Sequence, residues 1–413
     1  MSPVSGCGRS PRLNPDSATH RNDAPAPTFA RIPLILSHLS TQQAERHGEF
    51  RAFADRALVP QADRFDREQA ISREVIADLA GQAYLGALIP KEFGGAGMGW
   101  IEYGLLTEEL GRGCQSIRNF VAVDDMVAHS IHKWGTEEQK EQWLLRITSG
   151  RTLAAFALTE PDVGSDAAAV ETTATADGTE IVLRGTKKWI SFAQIADLFL
   201  VFAKLDGQHT AFLVERDTPG LSVEPIEGLL GLRGSMLGRI TFDDCRIPAT
   251  NLVGRPGVGL TFVASSALDL GRYSTAWGSV GLAQACLEAS TEYAGRRAQY
   301  GTEISNHQLV QQLLADMLTD TVTARLLCHH AGVSKEQGEM EAVNHTLLAK
   351  YRASTIAVKA AADAVQIHGA QGIGAEASVQ RHHRDAKVME IIEGTTQIQQ
   401  TMLGQFALRA AQL

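Results

Sequence analysis

The order of patterns along the chain predicts an α+β fold in which a β domain sits between two helical bundles. Apolar residues recur at three- and four-residue spacing from about Ser40, the mark of amphipathic helices. Between about Arg151 and Pro256 they give way to short, β-branched, alternating runs bounded by turn residues. After Gly259 the helical period returns and lasts to the end. Strands and helices never alternate as βαβ units, which argues against a doubly wound sheet. The boundaries that follow are 39–152, 153–258 and 259–413, with residues 1–38 ahead of them.

Those first residues read as a disordered extension. Pro3, Pro11, Pro15, Pro25, Pro27 and Pro33 stand among Ser, Asn, Asp and Arg with little periodic apolar content. Ile32–Leu36 is interrupted by Pro33 and is too short for the apolar core of a secretory signal. No targeting segment is expected, and a start codon assigned too far upstream accounts for the tail equally well.

The first helix carries Phe50, Phe53, Ala54, Ala57 and Leu58. Ile76, Leu79, Ala80 and Ala83 mark another, stopped by Pro90 and the glycine turn at Gly94–Gly97. Ile101–Leu110 and Val123–Trp134 read as two more, and Thr136 followed by Gln139 is a capping-type start for the next. In the middle, Ala168–Thr175, Glu180–Leu183, Leu198–Leu205, Thr210–Val214, Leu221–Pro225 and Arg239–Phe242 have strand composition. Asp177-Gly178 and Asp206-Gly207 are tight-turn signals between them. Helical segments near 260–296, 306–332, 337–368 and 396–411 complete the chain.

The 413 residues are 44% hydrophobic and 21% charged, ample material for a core. No run approaches the ~18–20 apolar residues of a membrane-spanning helix. A net charge of −9 argues against a nucleic-acid partner, which a basic stripe would signal. Cys7, Cys114, Cys245, Cys286 and Cys328 are scattered without a CxxC pair, a poor disulfide framework and a poor zinc site. Thiols in a reducing cytoplasm are the simpler account, and no metal is expected.

Four segments carry candidate chemistry. Phe156–Asp166 (FALTEPDVGSD) leaves a strand and enters a turn rich in hydroxyls and main-chain donors, suited to a polar ring edge or a phosphate. Trp189-Ile190-Ser191 offers an aromatic face and a hydroxyl. Arg296–Gly301 (RRAQYG) ends a helix with paired cations, an amide and an aromatic. Ile391–Gln397 (IIEGTTQ) sets Glu393 among apolar neighbours, where desolvation raises a carboxyl pKa and makes it a useful proton acceptor. Each has a plain alternative: a surface loop, a core tryptophan, cations at a helix C-terminus, a carboxylate at a helix start.

In combination and in this order they resemble the acyl-CoA dehydrogenase family of flavoproteins, from about residue 40 to the C-terminus. The likeness is carried by Leu158–Asp166 (LTEPDVGSD), Trp189–Ser191 (WIS), Arg297–Gly301 (RAQYG) and Ile392–Gln399 (IEGTTQIQ). Gln366–Gly372 (QIHGAQG) and Arg384–Lys387 (RDAK) add to it. The resemblance implies an N-terminal α-helical domain, a central β-barrel or sandwich domain and a C-terminal four-helix bundle. It also implies FAD between the β domain and the bundle, completed by a neighbouring subunit of a homodimer or homotetramer.

Carried over residue by residue, Phe156, Leu158, Thr159, Gly164, Ser165, Trp189, Ile190 and Ser191 would surround the isoalloxazine, with Thr395 and Gln397 on the same flavin. Arg297, Gln299, His307, Gln308, Gln366, Ile367, Gly369 and Ala370 would reach a partner's FAD, with Tyr300 at the aromatic position after the arginine. Ser165, Asp269, Arg272 and Gly394 would meet the substrate. Most members place their catalytic base in the Glu-Gly-Thr segment, here Glu393. A minority place it on the helix after Leu-Asp-Leu, where this chain has Gly271. Nitroalkane-oxidising relatives use aspartate, which Glu393 speaks against.

Three departures stand out: Ser191-Phe192 for the common Thr-Asn, His368 for an aromatic, and Ala370-Gln371 for Gly-Asn.

The reaction implied is α-proton abstraction by Glu393, with hydride passing from the β carbon to flavin N5. The developing enolate would be stabilised by the flavin ribityl hydroxyl and the amide of Glu393. Electrons would pass on to an acceptor such as an electron-transfer flavoprotein. The thioester is an acyl-CoA or an acyl carrier protein conjugate. Gly231–Leu237 and Ser191–Asp197 look more like dehydrogenases serving polyketide extender-unit pathways. Val123–Met126 (VDDM) falls where relatives line the acyl pocket, and its acids would suit a substrate hydroxyl, or else form a solvent-facing turn. Three alternatives are an acyl-CoA oxidase using O₂, a flavin-binding relative that binds DNA and has lost dehydrogenation, and a structural scaffold without cofactor, which would not explain both Glu393 and the flavin residues. The second should be basic near its C-terminus, yet residues 250–413 hold 13 Lys and Arg against 14 Asp and Glu.

Overall fold

The computed structural model describes residues 39–410. The expected extension 1–38, with Cys7, lies outside the described residues. Helix α1 (Thr41–Phe53) starts at Ser40, whose hydroxyl accepts the Gln43 N–H while the Gln43 side chain takes the Ser40 N–H. A π-helical turn, Ala54–Leu58, prolongs it. The N-terminal part continues with α2 (Ala62–Glu68), α3 (Arg73–Gly81), α4 (Trp100–Gly113), α5 (Gln115–Trp134) and α6 (Glu137–Thr148). Thr136 and Gln139 form the same reciprocal cap at the start of α6. Helices α4 and α5 run well past the apolar stretches that announce them. Both are buried on nearly every face, so polar residues such as Glu108, Gln115 and Arg118 belong to the interior as well.

The sheet is built from β1 (Ala154–Ala157), β2 (Thr173–Asp177), β3 (Glu180–Ile190), β4 (Leu198–Leu205), β5 (Gln208–Glu215), β6 (Leu221–Pro225), β7 (Gly238–Pro248) and β8 (Leu252–Val253). Its order is β6-β7-β3-β2-β4-β5-β8, with β1 paired in parallel to β4. Along β4, Leu198, Leu200 and Phe202 pack against Val127, Ile131, Trp143 and Leu144 of α5 and α6. The alternate residues Phe199, Val201 and Ala203 pack against Leu183, Phe242 and Ile247 of β3 and β7. Covered on both faces, β4 therefore reads as one continuous apolar run. Both hairpins close as expected: Gly178 has φ 62°, and Asp206 and Gly207 have φ 50° and 77°. The strand expected at Ala168–Thr175 needs correction. Ala167–Ala169 is a 3₁₀ turn, and pairing begins only at Thr173. The N–H groups of Glu171 and Thr172 are taken by the Glu160 carboxylate and are not free for a ladder.

A π-helical turn, Gly259–Ala264, leads into α7 (Ser265–Arg296). A short hairpin, β9 (Ala298–Gln299) and β10 (Thr302–Glu303), separates it from α8 (Gln308–Glu336). Then come α9 (Ala342–His368), α10 (Ala370–Ile373), α11 (Ser378–Met389) and α12 (Thr396–Ala410). Helices α7, α8, α9 and α11 pack as the C-terminal bundle, with α12 against α9. Helix α11 escapes the periodicity because its buried face mixes Arg381, His382 and Asp385 with Val379, Ala386 and Met389. Among the described residues no helix is long and apolar enough to cross a membrane.

The two helical parts are joined where α4 crosses α7 at a glycine-lined contact. A β-carbon on Gly281 would fall 2.0 Å from the Glu108 carbonyl oxygen, and one on Gly111 would fall 2.6 Å from the Gly278 Cα. Backbone cannot yield as a flexible side chain does. Gly281→Ala is therefore expected to lower stability by about 1–3 kcal/mol or more, read as a fall in melting temperature. Gly404→Ala, on α12 with open space around it, should be neutral or slightly stabilising. Equal melting of the two variants would refute the crossing as a constraint.

Candidate active site

Strand β1 carries Phe156 to the sheet edge, and the loop after it is tied down by a buried ion pair. Lys187 Nζ donates to Glu160 at 2.7 Å and to the Leu158 carbonyl at 3.0 Å. Glu160 also accepts the Thr172 hydroxyl. Lys188 N–H reaches the Thr159 carbonyl at 2.9 Å. Burial pushes Lys187 down to about 8, with Glu160 opposing. Burial alone would raise Glu160, yet its bonds to Lys187 and Thr172 hold it below the usual carboxylate range.

Just beyond Lys187, β3 shifts register against β7, and Trp189 takes φ 63°. The residue is left 50% exposed. Ser191 Oγ accepts a hydrogen bond from Asn119 Nδ2, which also donates to Ser235 Oγ. Phe192, one of the departures, is fully buried and sits edge-on to Phe120 at 5.1 Å. His368, another, stacks on Tyr293 at 4.3 Å, so a flat ring is retained there.

Glu393 lies in the turn between α11 and α12. It and Gly394 have consecutive positive φ values, 57° and 96°. Arg272 Nε donates to the Glu393 carbonyl at 3.0 Å and Lys350 Nζ to the Gly394 carbonyl at 2.7 Å. Gln399 Nε2 contacts both carbonyls, at 3.2 and 3.3 Å. The Glu393 side chain packs onto Gly271, where an added β-carbon would meet Oε2 at 2.6 Å. That oxygen is buried and has no hydrogen-bond partner among the described residues. Burial raises the carboxyl pKa against the pull of Arg272, Arg118 and Lys350. Arg118, fully buried on α5, is itself pushed down to about 10 by desolvation, with Glu393 opposing.

These segments converge on a cavity of about 380 Å³. Phe156, Leu158, Thr159, Gly164 and Ser165 line one side, and Trp189, Ile190 and Ser191 continue it. Arg272, Glu393, Gly394 and Thr395 face them, with Val123, Met126 and Leu268 supplying apolar wall. An exposed indole, hydroxyls from Thr159, Ser165 and Ser191, and open space at Gly164 suit the flat, polar-edged isoalloxazine that the resemblance implies.

Some expected residues fall elsewhere. Asp269 is not in the wall. It pairs with Lys335, which lies 4.6 Å over the Trp100 ring. Gln397 is exposed on α12 and is also absent from the wall. Gln299, Tyr300, His307, Gln366 and Ile367 line a second hollow of about 350 Å³. Arg297, Gln308, Gly369 and Ala370 are exposed on the same segments. Of the stretch expected at the acyl pocket, Val123 and Met126 do line the cavity, but Asp124 and Asp125 need correction. They neither line the cavity nor face solvent, but accept the N–H groups of Ala154 and Gly86 in the interior.

Sequence reasoning missed Lys187, Arg118, Lys350, Asn119 and Gln399. Glu160 and Gln399 stood inside quoted motifs without a role.

Three family models cover most of the chain: the acyl-CoA dehydrogenase N-terminal domain over 40–151, the middle domain over 155–245 and the C-terminal domain over 257–408. A mitochondrial short-chain specific acyl-CoA dehydrogenase of Homo sapiens is 37% identical over 87% of this chain and 88% of its own. A glutaryl-CoA dehydrogenase from Mycobacterium smegmatis, solved in complex with FADH2, superposes with a TM-score of 0.85 at 30% identity, covering 89% of this chain and 95% of that one. FkbI, described as serving biosynthesis of the methoxymalonyl extender unit of the Fk520 polyketide immunosuppressant, gives 0.81 at 33%, covering 88% and 99%.

The Glu160–Lys187 pair yields a direct test. Lys187→Met strands a buried carboxylate and should cost about 3–5 kcal/mol, with loss of bound flavin read from the ratio of visible to protein absorbance. Adding Glu160→Gln should recover part of both. A single variant that keeps full stability and flavin would remove the pair from the site's scaffold.

Proposed function

The chain belongs to the acyl-CoA dehydrogenase family, and on that premise we propose that it desaturates a short acyl thioester between its α and β carbons, with Glu393 as proton acceptor. It is an FAD-dependent oxidoreductase acting on acyl-CoA. Phe156, Thr159, Ser165, Trp189, Ser191 and Thr395 would hold the isoalloxazine, and bound FAD supplies the hydride acceptor. The remaining work belongs to the protein. Glu393, on the cavity wall, takes the α proton on its carboxylate. Its backbone N–H donates to the thioester carbonyl as negative charge grows there. Val123, Met126 and Leu268 seat the acyl chain and exclude water.

The observation that carries this reading is a glutamate on the cavity wall whose carboxyl is raised by burial, with one oxygen packed on Gly271 and lacking a hydrogen-bond partner among the described residues. A short acyl group is favoured by the likeness to a short-chain enzyme. A carrier-protein thioester is the second reading, favoured by the likeness to FkbI. The burial of Asp124 and Asp125 counts against a hydroxyl-bearing acyl group. We take the acceptor to be an electron-transfer flavoprotein in the cytoplasm, with O₂ the alternative that peroxide release would reveal. The second hollow would complete a neighbour's flavin site in a homodimer or homotetramer.

Anaerobic bleaching with butyryl-CoA and with butyryl-carrier protein separates the two thioesters. Glu393→Gln should keep its yellow FAD and bleach about 100-fold more slowly or worse. Because the raised carboxyl must be ionised to act, the wild-type rate should climb with pH through a midpoint above the ordinary glutamate value of 4.5. That limb should vanish in Glu393→Gln. Undiminished bleaching by the variant overturns the assignment.

A further inference from the structure

We infer that Lys350 is a positioning residue for Glu393: its ammonium anchors the Gly394 carbonyl and so fixes the left-handed turn from which the carboxylate reaches the cavity. The inference rests on the proposed role of Glu393. Lys350 lies within α9, its side chain wholly buried beside Ala349 and Ala353. A hydrocarbon of similar size would fill that place without desolvating a charge. Yet the lysine is there, and its hydrogen bond, 2.7 Å to the Gly394 carbonyl, runs directly to the active-site turn.

The turn needs such an anchor. Left-handed backbone at a residue with a side chain is unfavourable and persists only where surroundings impose it. Here Arg272 of α7, Lys350 of α9 and Gln399 of α12 grip the two successive carbonyls of Glu393 and Gly394 from three directions. Without Lys350, the Gly394 carbonyl would keep only the 3.3 Å contact from Gln399. Glu393 would then lose both its angle toward the cavity and one of its three facing cations, leaving Arg272 of α7 and Arg118 of α5. Lys350 in turn faces Glu393, Arg272 and Glu390.

The test uses the FAD-loaded enzyme with Lys350→Met, Lys350→Gln and Glu393→Gln. The readouts are flavin content, melting temperature, single-turnover bleaching by butyryl-CoA, and infrared titration of the Glu393 carboxyl. That band is assigned by difference against Glu393→Gln. Lys350→Met should stay yellow, slow the bleaching about ten- to a hundredfold and leave half-saturation nearly unchanged. It should also move the carboxyl midpoint to higher pH, since a facing cation is gone. Lys350→Gln, which keeps a neutral donor, should regain part of the rate while its midpoint stays raised. A folded Lys350→Met with wild-type rate and midpoint, changed only in melting temperature, overturns the inference. Should that variant fail to fold, Lys350→Gln is judged by the same two quantities. Full bleaching by Glu393→Gln would bring down the proton-acceptor reading itself. An inactive Glu393→Gln beside a wild-type-like Lys350→Met would bring down only the role of Lys350.

Discussion

A buried carboxylate oxygen without a hydrogen-bond partner among the described residues is an expensive object, and the architecture around Glu393 makes it tolerable. Isolated, such a charge would stay protonated or turn outward. Three cations from α5, α7 and α9 face it, Arg118 and Lys350 buried and Arg272 partly so, and favour the ionised form without a direct bond to Oε2. Those helices come from both ends of the chain. The glycine-lined contact between α4 and α7 joins the two helical parts, and α5 and α7 each send residues to the cavity wall.

The β domain answers a different demand, that of presenting a rigid polar edge. Pinning the loop after β1 through Glu160 and Lys187 orders Leu158 and Thr159, and the irregularity in β3 turns the Trp189 ring outward. Two locally unfavourable features, a buried ion pair and a left-handed tryptophan, are spent on one wall. Such departures from local preference belong at functional sites.

What the sequence reveals follows from where each signal lives. Helices with one apolar face and the capping residue Thr136 are legible because the information is local. The first wall of the cavity is legible for the same reason: its residues stand in short contiguous runs. Helix α11 is hidden because a buried face bearing Arg381, His382 and Asp385 imitates a solvated one. The misread pair Asp124 and Asp125 shows the converse, since acids that satisfy distant backbone N–H groups look like acids that bind substrate. Arg118 and Lys350 leave no trace, because a lone cation within an apolar helix means nothing until its neighbour across the bundle is known.

Glu393 fills the space that a side chain on Gly271 would need, although the two residues lie on separate elements far apart in the chain. The point proposed for proton transfer is thus defined in three dimensions and not by any one peptide segment. An acid rooted on α7 and an acid rooted after α11 would compete for the same volume, so each excludes the other. A descendant of this protein could relocate its base only by vacating one root as it filled the second. Intermediates holding both acids would be too crowded, and those holding neither would be inert.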